Sequence, residues 1–196
     1  MEALLSLTNK KYASINAMSK KLGSMYGATL KGSTSKFGDY LELVLNMSVI
    51  DNHYAPNGED LLAEVTDVIF DCMFRPNAEN GAFSENVFRI EKQDLLDAIE
   101  AEINDKRAYA TDRATEIAFE GEPYACSTDG KIEDVEKLTP KSVYEAYERM
   151  LREAVVRVYH VGPKFVPEIG ERLKEGGIVD AVVYGRTKHP YSIYRK

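Results

Sequence analysis

Only two cysteines and three histidines occur among these 196 residues, and each scarcity removes a class of chemistry. Cys72 and Cys126 lack metal-ligand spacing, so they read as free thiols in a reducing compartment, with a disulfide between them left open. His53, His160 and His189 stand alone, with no second ligand residue at i+3 or i+4 to share a metal on one helix face. No nucleophile motif of the G-x-S-x-G kind is present, and Gly121 and Gly176-Gly177 are turn glycines without a phosphate-loop pattern. Residue chemistry alone therefore marks no catalytic site. No apolar run approaches the ~18 residues of a membrane span. The N-terminus also lacks the charged, then apolar, then small pattern of a signal peptide, so the expected location is the cytoplasm. Positive charge is short as well. A net charge of -7 with no concentrated basic face argues against nucleic acid or an anionic membrane as partner. Basic or neutral peptides are the electrostatically easier ligands.

What is present is an ordinary globular composition, 44% hydrophobic and 29% charged, enough to bury a core as one α+β domain over residues 1–196. The chain is organised around residues 84–119, which open on Ser84 as a cap, place Glu85 in the first turn and contain neither proline nor glycine. This stretch predicts one long helix, or two joined near Asn104-Asp105. Leu95, Ile99 and Ile103, with Ala98 between them, form an apolar stripe on a charged rod. The carboxylates Glu91, Asp94, Asp97, Glu100 and Glu102 read as a solvated face salt-bridged by Arg89 and Lys92.

Taken in order, Ile15, Met18, Leu22 and Met25 fall at helical spacing, with Ser14 as cap and Gly27 as terminator. Residues 28–36 and 39–50 alternate around a Phe37-Gly38-Asp39 turn and predict an antiparallel hairpin. Leu61, Leu62, Val65, Val68, Ile69 and Cys72 make a second amphipathic helix that ends before Pro76. A loop follows to Phe83, and after the long helix another loop runs from Gly121 to Gly130. A helical turn or two is expected from Ile132, and Thr139-Pro140 starts a further helix. Val155 to Val161 is a β-branched strand, Pro167 to Lys174 a short helix, and Val179 to Tyr184 the last strand. The order predicts helices packed on one face of a mainly antiparallel sheet.

The run EPYACSTDGKIEDVEKLTPKSVYEAYERMLREAVVRVYHVG, with the helix before it, resembles the insulinase/pitrilysin metallopeptidase family. The features that carry the likeness are Pro123-Tyr124, Gly130, Ile132, Leu138-Thr139, Tyr144, Tyr147 and the strand ending in Gly162. Upstream, LGSMYGATLKGSTSKFGDYLELVL resembles the family's helix, glycine turn and hairpin, so the likeness covers residues 1–162. Residues 163–196 read as a closing helix and strand. The family binds zinc through H-x-x-E-H on one helix and a glutamate on the long helix. The resemblance puts Glu2 at the general-base position, Ala3 at the second histidine, Ala98 at the long-helix ligand, and the first histidine before Met1. Zinc needs protein ligands to hold an activated water, and alanine has no lone pair to offer. No metal and no cofactor are therefore expected, and an acidic residue placed at 98 is expected to destabilise the apolar stripe by ~1–3 kcal/mol.

The resemblance implies a catalytically silent domain, because ligand-less members pair with an active homologue in proteolysis or peptide maturation. Family substrates add as a strand to a sheet edge, which here corresponds to Leu30, Lys31, Gly32 and Ser33. Two other readings stay open: part of an active zinc endopeptidase whose metal motif lies outside this chain, and a plain interaction domain. In the family, strands precede the zinc-motif helix. Unpaired edges at Val155 to Val161 or Ala28 to Lys36 would then favour a homodimer or a heterodimer with a related subunit.

Overall fold

A computed structural model describes residues 1–162, 168–178, 181–186 and 192–194. Its most regular sheet element is the hairpin of β1 (Thr29–Phe37) and β2 (Tyr40–Ser48), closed by the two-residue turn Gly38-Asp39. Directly paired residues share a face. The pairs Leu30/Met47, Gly32/Leu45 and Thr34/Leu43 therefore form one row, and Thr29/Ser48, Lys31/Asn46 and Ser35/Glu42 the other. The first row meets helices and the second meets solvent, so the polar alternation in the sequence sets which face is covered.

Two clusters fill the space under that face. In the first, Leu4 and Leu5 of α1 (Glu2–Leu7) meet Phe83, Val87 and Phe88, together with Val143 and Tyr147 of α7 (Pro140–Glu153), against Leu43 and Leu45. Val87 and Phe88 belong to α4 (Glu85–Ala101). In the second, Met18 and Met25 pack with Leu61, Val68 and Cys72 of α3 (Leu61–Phe74), against Leu30, Leu45 and Met47. Burying a side chain as completely as Leu5, which is 1% exposed, contributes ~1.5–3 kcal/mol.

Caps fix where these helices begin. Ser14 Oγ accepts from Ala17 N at the head of α2 (Ile15–Ser24), and Asp60 Oδ1 accepts from Ala63 N ahead of α3. Thr139 and Ser142 form a reciprocal box ahead of α7, with Pro140 in its first turn. The Tyr147 hydroxyl donates to Met73 O at 2.8 Å, tying α7 to the end of α3.

The other side of α3 supports a third cluster. Leu62, Phe70, Met73 and Phe74 meet Ile169 and Leu173 of α8 (Glu168–Glu175), Ile178, and Val183 of β6 (Ala181–Arg186). Here β5 (Val156–Val161) runs parallel to β6, with α8 between them in sequence, and β7 (Ser192–Tyr194) returns antiparallel beside β6. The fold is thus α+β with mainly antiparallel pairings. Among the described residues the strands fall into three separate sheets, because β1–β2 and the β5–β6–β7 group do not hydrogen-bond to each other.

Several elements differ from the sequence-based expectation. The expected last strand is followed by β7. Its first residues, Val179 and Asp180, lie outside the described residues, as do Pro167 and His189. The loop before the long helix contains a small hairpin, β3 (Ala78–Glu79) with β4 (Ala82–Phe83). Its turn residues Asn80 and Gly81 both have positive φ, 52° and 74°, which is the conformation an Asn-Gly pair favours. The stretch expected as one long helix, or two joined near Asn104-Asp105, takes the second form: α4 passes through a 3-10 turn, Glu102–Asn104, into α5 (Lys106–Ala118), which Asp105 caps. The apolar stripe fades along α4. Leu95 and Ile99 are half-buried, Ala98 is exposed, and Ile103 is 58% exposed. Arg89 and Lys92 do not bridge the α4 carboxylates as expected. Arg89 donates to Asn86 Oδ1, and Lys92 reaches the carbonyls of Glu136 and Leu138 at 2.6 and 3.0 Å. Lys92 therefore acts as a cation at the end of the short helix α6 (Ile132–Val135).

Candidate functional site

Helix α1 lies across the inner face of β1, and a missing side chain permits the contact. A Cβ at Gly32 would stand 2.6 Å from Glu2 O and 2.9 Å from Glu2 Cβ, closer than real side-chain atoms approach. Glycine is therefore required here for close approach of helix to strand.

Among the described residues one side of the β1 backbone has no strand beside it. In a two-residue hairpin turn the residues flanking it bond to each other, so Phe37 and every second residue before it point their amides at β2. By alternation, Leu30, Gly32, Thr34 and Lys36 direct N–H and C=O away from β2. No described strand or backbone group pairs with them. Of the four residues expected to form a peptide-binding edge, Leu30 and Gly32 present backbone groups outward. Lys31 and Ser33 turn theirs to Asn46 and Val44 on β2.

Carboxylates stand beside this edge. The Glu2 carboxylate accepts from the Met1 ammonium at 3.2 Å. Burial alone would push the Glu2 carboxyl up. The Met1 ammonium, a backbone donor and the Thr34 hydroxyl outweigh burial and hold it below the ordinary value. Glu91 on α4 faces the same place. Burial first, then the charges of Asp94 and Glu2, push its carboxyl up, while the Met1 ammonium opposes them. Glu91 is thus half-buried against α1 and not part of a solvated face. Sequence reasoning missed this, although the residue lies two helical turns before Ala98 on the same side of α4, a spacing that was available.

The donor set around α1 does not fit zinc. Ala3 is half-buried and Ala98 exposed, and neither has a lone pair to donate. Among the described residues no three His, Cys, Asp or Glu side chains are grouped to hold a metal ion. His53 is exposed in a 3-10 turn, edge-on to Tyr54 at 5.3 Å. His160 is half-buried on β5, where burial lowers its pKa and Nδ1 has no hydrogen-bond partner among the described residues. Cys72 and Cys126 are both free, the first buried and the second exposed. No helix among the described residues is long and apolar enough to cross a membrane.

No family model matches the chain. A Bacillus subtilis (strain 168) protein described as "Probable inactive metalloprotease YmfF" is 26% identical over 141 residues, which is 72% of this chain and 33% of that protein. A solved structure, "Crystal structure of a conserved protein from Enterococcus faecalis V583", superposes with a TM-score of 0.77 at 20% identity, over 98% of this chain and 44% of that one. The chain therefore spans under half the length of either, and the structural likeness shows the shared fold alone.

Proposed function

We propose that this chain is a catalytically silent, peptidase-like domain of the insulinase/pitrilysin type that takes an extended peptide along β1 and acts beside an active homologue. The observation that carries the reading is the β1 edge left unpaired among the described residues, with outward amides at Leu30, Gly32, Thr34 and Lys36, while α1 covers the inner face of the same strand at Gly32. A peptide strand laid there completes four backbone positions without needing a catalytic group. The distant relative's description as an inactive metalloprotease supports silence, as do alanines at positions 3 and 98. Glu2 and Glu91 beside the edge, on a chain of net charge -7, favour a basic or neutral peptide. Two free thiols suit a cytoplasmic setting. The edge position of β1 among the described residues suits pairing with a second copy or a related subunit.

The test uses a ten-residue peptide of alternating lysine and valine, followed by amide hydrogen exchange. Protection at Leu30, Gly32, Thr34 and Lys36, lost when alternate peptide amides are N-methylated, is expected. Binding without protection on β1 would refute strand addition at this edge.

A further inference from the structure

Residues 105–131 contribute nothing to any of the three hydrophobic clusters. The whole of α5 contains no buried residue, and the segment from Phe119 to Lys131 is exposed apart from a half-buried Ala125. Its hydrogen bonds are local, within α5, within the 3-10 turn Pro123–Ala125, or at its two ends. A helix of this length is marginal on its own in water, so something must fix its place. Among the described residues one side chain from elsewhere reaches it through hydrogen bonds. The Lys36 ammonium donates to Tyr124 O at 2.6 Å and to Cys126 O, and sits 5.2 Å from the centre of the Tyr124 ring. Tyr124 in turn meets Phe119 edge-on at 4.8 Å. One lysine therefore satisfies two carbonyls and a ring face, and the ring is braced by the last turn of α5.

At the other end stands a natural pivot. The 3-10 turn Glu102–Asn104 interrupts the helix, and Asp105 leaves helical geometry with φ -90° and ψ 84°. A 3-10 interruption inside a helical run is a frequent hinge.

We propose that residues 105–131 form an arm that swings on the 102–104 turn and is latched closed by Lys36 at the turn end of β1. With the latch made, the Tyr124 ring lies beside Lys36 at that end of the hairpin, with Phe119 behind it. With it broken, the arm is held by its two ends only. The latch stands on the arm's own contacts. Its consequence, that a strand entering β1 near Lys36 feels the arm's position, rests on the peptide reading above.

Hydrogen exchange on the intact chain without peptide tests the latch alone, so its failure and that of strand addition are separable. In Lys36→Met, amides of residues 105–131 are expected to exchange about tenfold faster, with α7 amides and the melting temperature unchanged. Lys36→Arg, which keeps the cation, is expected to retain most of the protection. Unchanged exchange in the arm of Lys36→Met overturns the proposal. Faster exchange in the arm and α7 together also overturns it, since that would report general loosening.

Discussion

Gly32 on β1 and Glu2 at the head of α1 meet backbone to backbone, so closely that a methyl on Gly32 would lie 2.6 Å from the Glu2 carbonyl oxygen. Gly32→Ala must therefore lift α1 or bend β1, and Leu4 and Leu5 would leave the core with the helix. The expected loss is about 1–3 kcal/mol, read by urea denaturation. An unchanged midpoint would mean that α1 does not seat on the strand.

Ala98→Glu is expected to be nearly neutral, within ~0.5 kcal/mol, because the site is exposed. This reverses the destabilisation that the apolar stripe led one to expect. It is also expected to give no hydrolysis of a quenched fluorescent peptide, since a lone carboxylate cannot hold an activated zinc-bound water. Zinc-dependent turnover in this variant would contradict the silent reading.

The raised carboxyl of Glu91 gives a pH-dependent expectation. Its folded pKa lies above its unfolded one, so its favourable contribution is complete below the ordinary carboxylate range and is lost as pH rises through the folded value. Glu91→Gln should therefore raise the melting temperature at neutral pH, and the gain should vanish at acid pH. Glu2, held low, behaves oppositely: its contribution is present above the ordinary range and is lost as pH falls through the folded value. A Glu91→Gln variant less stable than the native chain at pH 7 would refute the burial argument.

The two thiols should separate cleanly. Burial pushes Cys72 up to about 11, against the donor from Asn9 Nδ2 at 3.4 Å, while Cys126 is exposed. Reaction with a thiol reagent at pH 8 is expected to label one group per native chain quickly, and the second only on unfolding. Loss of the fast group in Cys126→Ser assigns it, whereas two fast thiols would contradict the packing of α3.

Element types were legible wherever one period dominated. Ser14 and Thr139-Pro140 announced helix starts that the structure caps through side-chain oxygens. The hairpin of residues 29–48 followed from its alternation and its tight turn. The Asn80-Gly81 turn was equally visible, but with two residues per strand the alternation was too short to read. Depth of burial was less legible. Leu95, Ala98 and Ile103 share a stripe by spacing, yet periodicity says nothing of how far the partner layer extends, and the layer stops before Ile103. Glu91 fails for the same reason, since a charge on a helix looks solvated until the helix crossing it is known. The part played by Lys36 was hidden because its acceptors are backbone carbonyls 88 and 90 residues away, and main-chain groups carry no sequence signal.

The bond from Tyr147 to Met73 spans 74 residues and has a consequence for the order of folding. The β1–β2 hairpin closes on neighbouring residues and can form within microseconds, whereas docking α7 against α3 must first close a long loop. Tyr147→Phe should then accelerate unfolding and leave the refolding rate nearly unchanged, because its bond forms after the rate-limiting barrier. Stopped-flow measurements of both limbs would show this. A variant that instead refolds more slowly, with native unfolding, would place the α3–α7 contact in the nucleus, and the hairpin would be a follower of the helices.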